Sequence, residues 1–301
     1  MRTAAFLLAV CWLLSAPACA DELVALQYQG EARDYLLHVP PNAGSDKLPL
    51  VIALHGAGDD APGFAGETHL ADAADKFGMM VAFPNGSEGG APLHRTFNAQ
   101  ICCGDSVMRQ IDDIGFVGAV IEDVNARHPV DRARVYATGM SNGGMLVYQL
   151  AATHPEWFAA VAPVSASIGG MTRDGRTYLI PMPKMPVPVM MIHGRKDPYV
   201  LYEGGSSAML NFPNIWKFSV GDALSFWKTV DGCASPATIA HPSRDLRRVA
   251  YTQCKAGSEV VLWEIMNGDH NWPGDVFPAP GGKTVSASSE ILGFFATHRR
   301  E

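Results

Sequence analysis

Four short runs of apolar residues set the strongest limit on how this chain can fold. They occupy Leu48–Leu54 (LPLVIAL), residues 79–83, residues 187–192 and Val260–Ile265. Near-continuous apolar runs of this length are typical of strands that are buried on both faces, as in a parallel sheet. Stretches with helical periodicity separate them. The alternation predicts an α/β fold with a mostly parallel central sheet and helices on both faces.

Local signals place further elements between these runs. Residues 23–39 predict two extended segments around a turn, and residues 86–106 have no clear period and predict a long loop. Asp112 or Asp113 can cap a helix that ends before Pro129. Other predicted elements are a helix over 68–77, a strand over 134–138, and helices over 143–154, 219–227 and 288–298.

The overall composition excludes some partners. The chain has 301 residues, of which 48% are hydrophobic and 18% charged, and its formal net charge is −7. Such a chain can bury a substantial core. Nucleic-acid binding would need a face rich in Lys and Arg, and no long basic run is present. We therefore expect no nucleic-acid partner.

The first twenty residues have the pattern of a secretory signal peptide. An apolar run over 4–14 is followed by small residues at 18–20, after which cleavage is expected. The run is too short for a membrane-spanning helix of about 20 residues. A lipoprotein signal through Cys19 is the alternative. We expect residues 1–20 to be removed and residues 21–301 to form a single exported domain, extracellular or periplasmic, with no membrane partner.

Export favours disulfide formation. Four cysteines lie after the predicted signal peptide, namely Cys102, Cys103, Cys233 and Cys254. Because adjacent cysteines bond to each other only through a strained ring, Cys233–Cys254 is the preferred bridge. In the chain-entropy model, a loop of roughly 20 residues makes such a bridge worth about 3 kcal/mol. Cys102 and Cys103 are expected either as a vicinal disulfide or as buried thiols.

The sequence Gly139-Met140-Ser141-Asn142-Gly143 carries the clearest chemical signal. It lies directly after one predicted strand and directly before a predicted helix. In this setting G-x-S-x-G places a serine on a sharp turn beside the positive end of a helix. The alternative is a glycine-rich turn with a helix-capping serine. The strand before and the helix after favour Ser141 as a nucleophile.

A serine nucleophile needs a base and an acid that orients the base. In α/β-hydrolases they follow the serine in the order acid, then histidine, at strand ends. Asp197 follows the apolar run 187–192, and His270 follows Val260–Ile265, which makes them the candidate acid and base. Asp269 and His270 are too sparse for a metal site. Competing bases and acids are His193, His241, His298, Asp222 and Asp231.

Acyl transfer also needs backbone donors for the oxyanion. The N–H of Asn142, next after the nucleophile, is one candidate, and the N–H of Ala57 in the loop after Leu48–Leu54 is the other. The neighbouring His55 is a candidate substrate contact. Trp272 and Trp216 could stack on a phenolic or sugar ring, or could simply be packed.

Six motifs occur together in one order: LHGAGD, FPNG, CCG followed by DDIGF, GMSNGG, HGRKDPYV with YEGG, and GDHNWPG. As a set they resemble the secreted polyhydroxybutyrate-depolymerase-like esterases and the feruloyl or acetylxylan esterases of carbohydrate esterase family 1. The resemblance runs from about residue 30 to the end. It implies the α/β-hydrolase fold, a triad of Ser141, Asp197 and His270, a disulfide between Cys233 and Cys254, and no cofactor or metal.

The expected activity is therefore hydrolysis of carboxylic esters through an acyl-enzyme. Feruloyl or acetyl esters of plant polysaccharide are the first expected substrates, and polyhydroxybutyrate oligomers are the alternative. A third hypothesis is a non-catalytic α/β-hydrolase relative that only binds a ligand, since a fold does not fix a function. The expected partner is an ester, linked to polysaccharide or polyester; the sequence does not indicate the oligomeric state.

Overall fold

The computed structural model describes residues 21–41, 43–90, 93–172, 175–207, 215–234, 236–279 and 283–301. The predicted signal peptide lies outside these residues. The strands are β1 (Glu22–Tyr28), β2 (Glu31–His38), β3 (Leu48–Leu54), β4 (Met80–Pro84), β5 (Ser87–Glu88), β6 (Arg95–Thr96), β7 (Val130–Met140), β8 (Ala160–Val164), β9 (Gly169–Met171), β10 (Thr177–Leu179), β11 (Val189–Gly194), β12 (Trp216–Lys217), β13 (Thr238–Ser243), β14 (Leu246–Tyr251), β15 (Val260–Ile265), β16 (Phe277–Ala279) and β17 (Lys283–Val285). The helices are α1 (Ala61–Thr68), α2 (Leu70–Asp75), α3 (Gly104–Met108), α4 (Asp113–Arg127), α5 (Asn142–Thr153), α6 (Val220–Val230) and α7 (Ala287–Ala296).

A large mixed sheet organises the described part of the chain. Its ten strands follow the order β1-β2-β4-β3-β7-β8-β11-β15-β14-β13. The strands from β4 to β15 in this order are joined by parallel pairs, and antiparallel strands complete both edges. Because parallel strands end on the same side, the loops after β3, β7, β11 and β15 meet at one rim of the sheet.

The apolar runs form the centre of this sheet, as the alternation in the sequence predicts. Along β3, Leu50 and Ile52 point into one hydrophobic cluster, whereas Val51 and Ala53 point into the other. The first cluster includes apolar residues of α4, α5 and α6, and the second includes those of α1, α2 and α7. The α/β class with helices on both faces is therefore confirmed.

Several boundaries differ from the sequence predictions. The helix expected over 68–77 is the shorter α2, and a separate helix, α1, precedes it; the two meet at His69, which has a left-handed φ of 48°. Asp60 caps α1 by accepting a hydrogen bond from the Gly63 N–H. The strand expected over 134–138 is longer, and β8 was not anticipated because its sequence, AVAPV, is short and contains a proline.

The cysteines are paired within the described residues as two disulfides, Cys233–Cys254 and Cys102–Cys103. The first is the pairing preferred from the sequence. The second corresponds to one of the two alternatives expected for the adjacent pair, the vicinal disulfide. Within the same residues, none of the helices has the length and apolar character needed to cross a membrane.

One buried carboxyl couples folding to pH. Asp231 is fully buried at the end of α6. It accepts hydrogen bonds from the Ser258 hydroxyl at 2.6 Å and from the Val187 N–H at 3.1 Å. Burial raises the pKa of Asp231 to about 7, and these two hydrogen bonds only partly oppose the effect. The folded protein therefore holds this proton over a pH range in which the unfolded chain loses it.

We expect the free energy of unfolding to fall by a few kcal/mol as the pH rises from about 4 to about 8, because the unfolded Asp231 ionises first. The contribution of Asp231 is complete below its ordinary pKa of 3.8 and is lost as the pH passes through about 7. In Asp231→Asn, denaturant titrations at pH 5 and pH 8 should differ less than in the wild type. Exposed Asp46 provides the control substitution, Asp46→Asn. An equal fall in Asp231→Asn and the wild type would contradict the assignment.

Candidate active site

Ser141 occupies the turn between β7 and α5. Its φ of 54° lies in the left-handed region, which a residue other than glycine seldom adopts. Its N–H donates to the Val164 carbonyl at 2.9 Å, and its carbonyl accepts from the Met145 N–H at 2.8 Å. These bonds fix the turn between strand and helix. The half-buried serine therefore stands at the rim of the sheet, on the turn that the sequence predicted.

The glycines around Ser141 are required by close backbone contacts. A Cβ atom at Gly143 would overlap the carbonyl oxygens of Leu54 and His55, and one at Gly139 would lie 2.7 Å from the Leu54 oxygen. Both distances are too short for a side chain. The start of α5 can therefore pack against the end of β3 only when these positions carry no side chain.

Asp197 and His270, the predicted acid and base, are in contact. Asp197 follows β11 and His270 follows β15, and the two strands are parallel neighbours. The Asp197 Oδ2 lies 2.7 Å from the His270 Nδ1. An ionised carboxylate can only accept, so Nδ1 carries the proton and Nε2 keeps its lone pair. A histidine in this tautomer can take a proton from a hydroxyl.

Several hydrogen bonds keep Asp197 ionised. Its Oδ1 accepts from the N–H groups of Tyr199 and Val200, both at 2.8 Å, and the His193 Nε2 lies 3.4 Å from its Oδ2. Burial alone would raise the pKa of Asp197. The hydrogen bonds from His193 and His270 outweigh that effect and hold its pKa well below the ordinary value. His193, a competing base in the sequence, is a second partner of the acid here.

The loops that carry the acid and the base are joined to each other. The Lys196 N–H donates to the Gly268 carbonyl at 2.9 Å, and a Cβ atom at Gly194 would collide with the Gly268 backbone. Buried Glu264 of β15 adds side-chain bonds, because it accepts from Arg195 at 3.1 Å and from the Tyr202 hydroxyl at 2.7 Å. These contacts fix the position of Asp197 relative to His270.

Two backbone N–H groups next to Ser141 are available as donors. The Asn142 N–H begins α5, where a helix leaves its first N–H groups unpaired, and Ala57 follows β3. Gly56 lies against the serine, with a Cβ position 3.7 Å from the Ser141 Cβ. In the described residues, neither the Asn142 nor the Ala57 N–H donates to another protein group. The two N–H groups therefore stay the candidates for an oxyanion hole.

The structure corrects the role expected for His55. This side chain is completely buried, so it cannot contact a substrate. Its Nε2 accepts from the Gly86 N–H at 2.9 Å, and its Nδ1 donates to the Gly56 carbonyl at 2.7 Å. Burial lowers the pKa of His55 to about 4, which keeps the ring neutral. His55 therefore holds the Gly56 carbonyl, and with it the peptide that carries the Ala57 N–H.

The structure also corrects the role expected for Trp272, which is a core residue. It is 7% exposed, its indole N–H donates to the Ser288 hydroxyl at 3.0 Å, and its ring packs edge-on against Phe64. Trp216 is 40% exposed and packs against Phe218. No described contact joins Trp216 to Ser141, so its role in substrate binding stays a prediction.

The structure has a cavity of about 870 Å³, whose lining among the described residues does not include Ser141 itself. One wall is formed by residues 98–114 and the other by the small sheet β10-β9-β12. The side-chain amide of Asn142 links the first wall to the nucleophile, because it donates to the Cys102 carbonyl at 2.8 Å. Sequence reasoning missed this cavity, since its walls have no periodic pattern. Among the described residues, no group of three or more His, Cys, Asp or Glu could hold a metal ion.

Comparisons with known proteins show the family of the chain. A family model described as Esterase PHB depolymerase matches residues 33–203. The chain is 31% identical over 263 residues to the putative esterase NocK of Nocardia uniformis subsp. tsuyamanensis, covering 83% of this chain and 73% of NocK. It is 28% identical over 239 residues to feruloyl esterase B of Piromyces equi, covering 79% of this chain but only 42% of that relative.

Among solved structures, an acetyl xylan esterase from Aspergillus awamori matches with a TM-score of 0.55 at 15% identity, covering 91% of this chain and 99% of the other. At this identity the likeness concerns the fold. The sheet and the turn at Ser141 define an α/β-hydrolase. Because the family model covers more than half of the chain, the protein belongs to the PHB-depolymerase family of esterases.

The contact between α5 and β3 can be tested with paired glycine substitutions. Gly143→Ala should destabilise the protein by about 3 kcal/mol or more, because the methyl group meets rigid backbone. For a domain of this size we expect a fall in Tm of roughly 10 °C. Gly293→Ala in α7 is the control, since a methyl group there meets no atom within 4 Å. Its Tm should stay level or rise slightly. Similar changes in both variants would contradict the contact.

Proposed function

We propose that this protein is a secreted serine esterase that hydrolyses carboxylic esters through an acyl-enzyme on Ser141. The single observation that carries the proposal is the 2.7 Å contact between the Asp197 carboxylate and the His270 Nδ1, at the sheet rim where Ser141 stands. It leaves the histidine as a proton acceptor. The export signal over 1–20 and a single esterase domain over 21–301 are part of the same proposal.

Each residue has a defined part in the proposed reaction. His270 takes the proton of the Ser141 hydroxyl as its oxygen attacks the ester carbonyl. Asp197 holds the imidazole in the required tautomer and stabilises the imidazolium. The N–H groups of Asn142 and Ala57 donate to the tetrahedral oxyanion. His270 then protonates the leaving alcohol, and afterwards removes a proton from the water that hydrolyses the acyl-enzyme.

Two substrate classes follow from the relatives. Feruloyl or acetyl esters of plant polysaccharide are our first proposal, because feruloyl esterase B and an acetyl xylan esterase are among the similar proteins. Polyhydroxybutyrate oligomers are the second, because the matching family model is described as a PHB depolymerase. Initial rates on methyl ferulate, acetylated xylan and hydroxybutyrate oligomers, measured side by side, decide between them.

Ser141→Ala should lower kcat on p-nitrophenyl acetate by roughly 10⁴-fold or more, because no hydroxyl remains to attack the carbonyl. A fluorophosphonate should label the wild type on the peptide that contains Ser141, and should not label this variant. Ser165→Ala is a matched control, since Ser165 directly follows the neighbouring strand β8 and also has a positive φ, of 49°. It should be labelled and active.

Near-normal turnover in Ser141→Ala would refute the nucleophile. A wild-type protein that forms no adduct and hydrolyses none of these esters would instead support the ligand-binding hypothesis. Asp197→Asn and His270→Ala extend the test. The first should lower kcat by about 10⁴-fold through loss of the correct tautomer. Asp269→Asn, adjacent to His270, should leave kcat within a few-fold of the wild type.

A further inference from the structure

Lys217 is a buried cation on a rigid support. It belongs to β12, where its N–H and carbonyl both bond to Gly205 at 2.9 Å. On the other side β12 pairs with β9, and a Cβ atom at Gly170 of β9 would overlap the Trp216 carbonyl. The residue is 5% exposed and lines the 870 Å³ cavity. Its backbone is thus held firmly while its side chain borders the open space.

The ammonium group of Lys217 has no partner among the described residues. Neither a hydrogen bond nor an ion pair joins it to another side chain or carbonyl there. In the described residues, the side-chain nitrogen and oxygen atoms that are inaccessible to solvent and have no hydrogen-bond partner are Arg33 Nε, Gln149 Oε1 and Trp227 Nε1. Lys217 Nζ is not one of these atoms although it has no partner, so Nζ keeps some exposure to solvent. The charge therefore faces the cavity.

Other charges that border this cavity already have partners. Asp113 pairs with Arg33 at 2.7 Å, and Asp112 accepts from the Tyr28 hydroxyl at 2.6 Å. Arg176 also lines the cavity and has an interaction of its own. Among the described lining residues, Lys217 is therefore the buried cation that has no anionic partner. A buried charge without a partner is costly, so a bound anion would stabilise it.

Both walls of the cavity are hydrogen-bonded to residues next to the proposed reacting groups. Ser207, which lines the cavity, donates its hydroxyl to the carbonyl of Pro198, the residue after the catalytic acid. On the opposite wall, Cys102 is bonded to Asn142, the residue after Ser141. Burial lowers the pKa of Lys217, and the negative charge of Asp197 partly opposes that effect, so the two groups interact electrostatically. The cavity is therefore the candidate space for the part of an ester that extends away from Ser141.

We propose that Lys217 binds a free carboxylate of the substrate, so that the preferred esters are those that keep one carboxylate, such as linear oligomers of hydroxy acids. This inference rests on the proposed esterase function. A single ammonium group suits a monoanion, whereas the carboxylates of Asp112, Asp113 and Asp197 nearby disfavour a polyanion. A charge-assisted hydrogen bond in a site shielded from water is worth about 1.5–3 kcal/mol.

The kinetic test compares acids with their methyl esters. One pair is the 3-hydroxybutyrate dimer and its methyl ester, in which the carboxylate belongs to the leaving alcohol. The other pair is monomethyl glutarate and dimethyl glutarate, in which it belongs to the acyl part. The wild type should favour the acid of at least one pair in kcat/KM by about 10-fold or more.

Lys217→Met should bring that ratio close to one, mainly through KM, whereas Lys217→Arg should keep part of it. Exposed Lys184 provides the control, and Lys184→Met should keep the wild-type ratio. A wild type that hydrolyses acid and methyl ester equally well would overturn the proposal, even if Lys217→Met failed to fold. A preference that survives in a folded Lys217→Met protein would overturn it too.

A binding measurement separates this proposal from the esterase function. Calorimetric titration with 3-hydroxybutyrate should show binding to the wild type, about 10-fold weaker or absent in Lys217→Met, with no comparable binding of the neutral 3-hydroxybutyramide. If the wild type hydrolysed no ester, the proposed function would fail, and this titration would still decide the role of Lys217. Equal binding of the acid and the amide would overturn it.

Discussion

The contact between the first turn of α5 and the end of β3 governs the geometry of the whole site. Gly143 lets the helix backbone approach the carbonyls of Leu54 and His55 more closely than any side chain would allow. That approach places Ser141 beside Gly56, the residue before the candidate donor Ala57. The reactive turn is therefore a product of packing between a parallel strand and a helix.

The histidines of the site have different tasks, which depend on the groups that surround them. His55 is buried among backbone groups and stays neutral, so it serves as a fixed donor and acceptor that orients a loop. His193 and His270 both face Asp197, and their hydrogen bonds favour the ionised carboxylate despite its burial. Residues of the same type thus act differently, because one is surrounded by peptide groups and the others by a carboxylate.

Much of the fold could be predicted from the sequence because local signals and burial agree in the central strands. Val260–Ile265 is a strand at the predicted bounds, and Ser219 caps α6 with a capping box. The expected pair Asp197 and His270 is in contact for the same reason, since strand ends in a parallel sheet share a rim. The triad assignment itself remains a proposal.

The substrate side could not be predicted in this way. His55 and Trp272 carry the residue types of a binding site, yet both are buried, because neighbouring backbone and side chains satisfy their polar atoms. Lys217 gave no signal, since a lone lysine is ordinarily exposed. Its burial depends on β12 pairing with β9, two very short strands that no periodic pattern marks.

The walls of the cavity are built apart from the catalytic frame. One is an irregular segment between β4 and α4, and the other is a three-stranded sheet assembled from connections on either side of β11. Neither supplies a strand to the ten-stranded sheet that sets the position of Ser141, Asp197 and His270. Insertions or replacements in the parts of these connections that do not contact Asn142 or Pro198 can therefore accumulate without disturbing the chemistry. Such a division lets one hydrolytic scaffold acquire new substrate specificities during evolution.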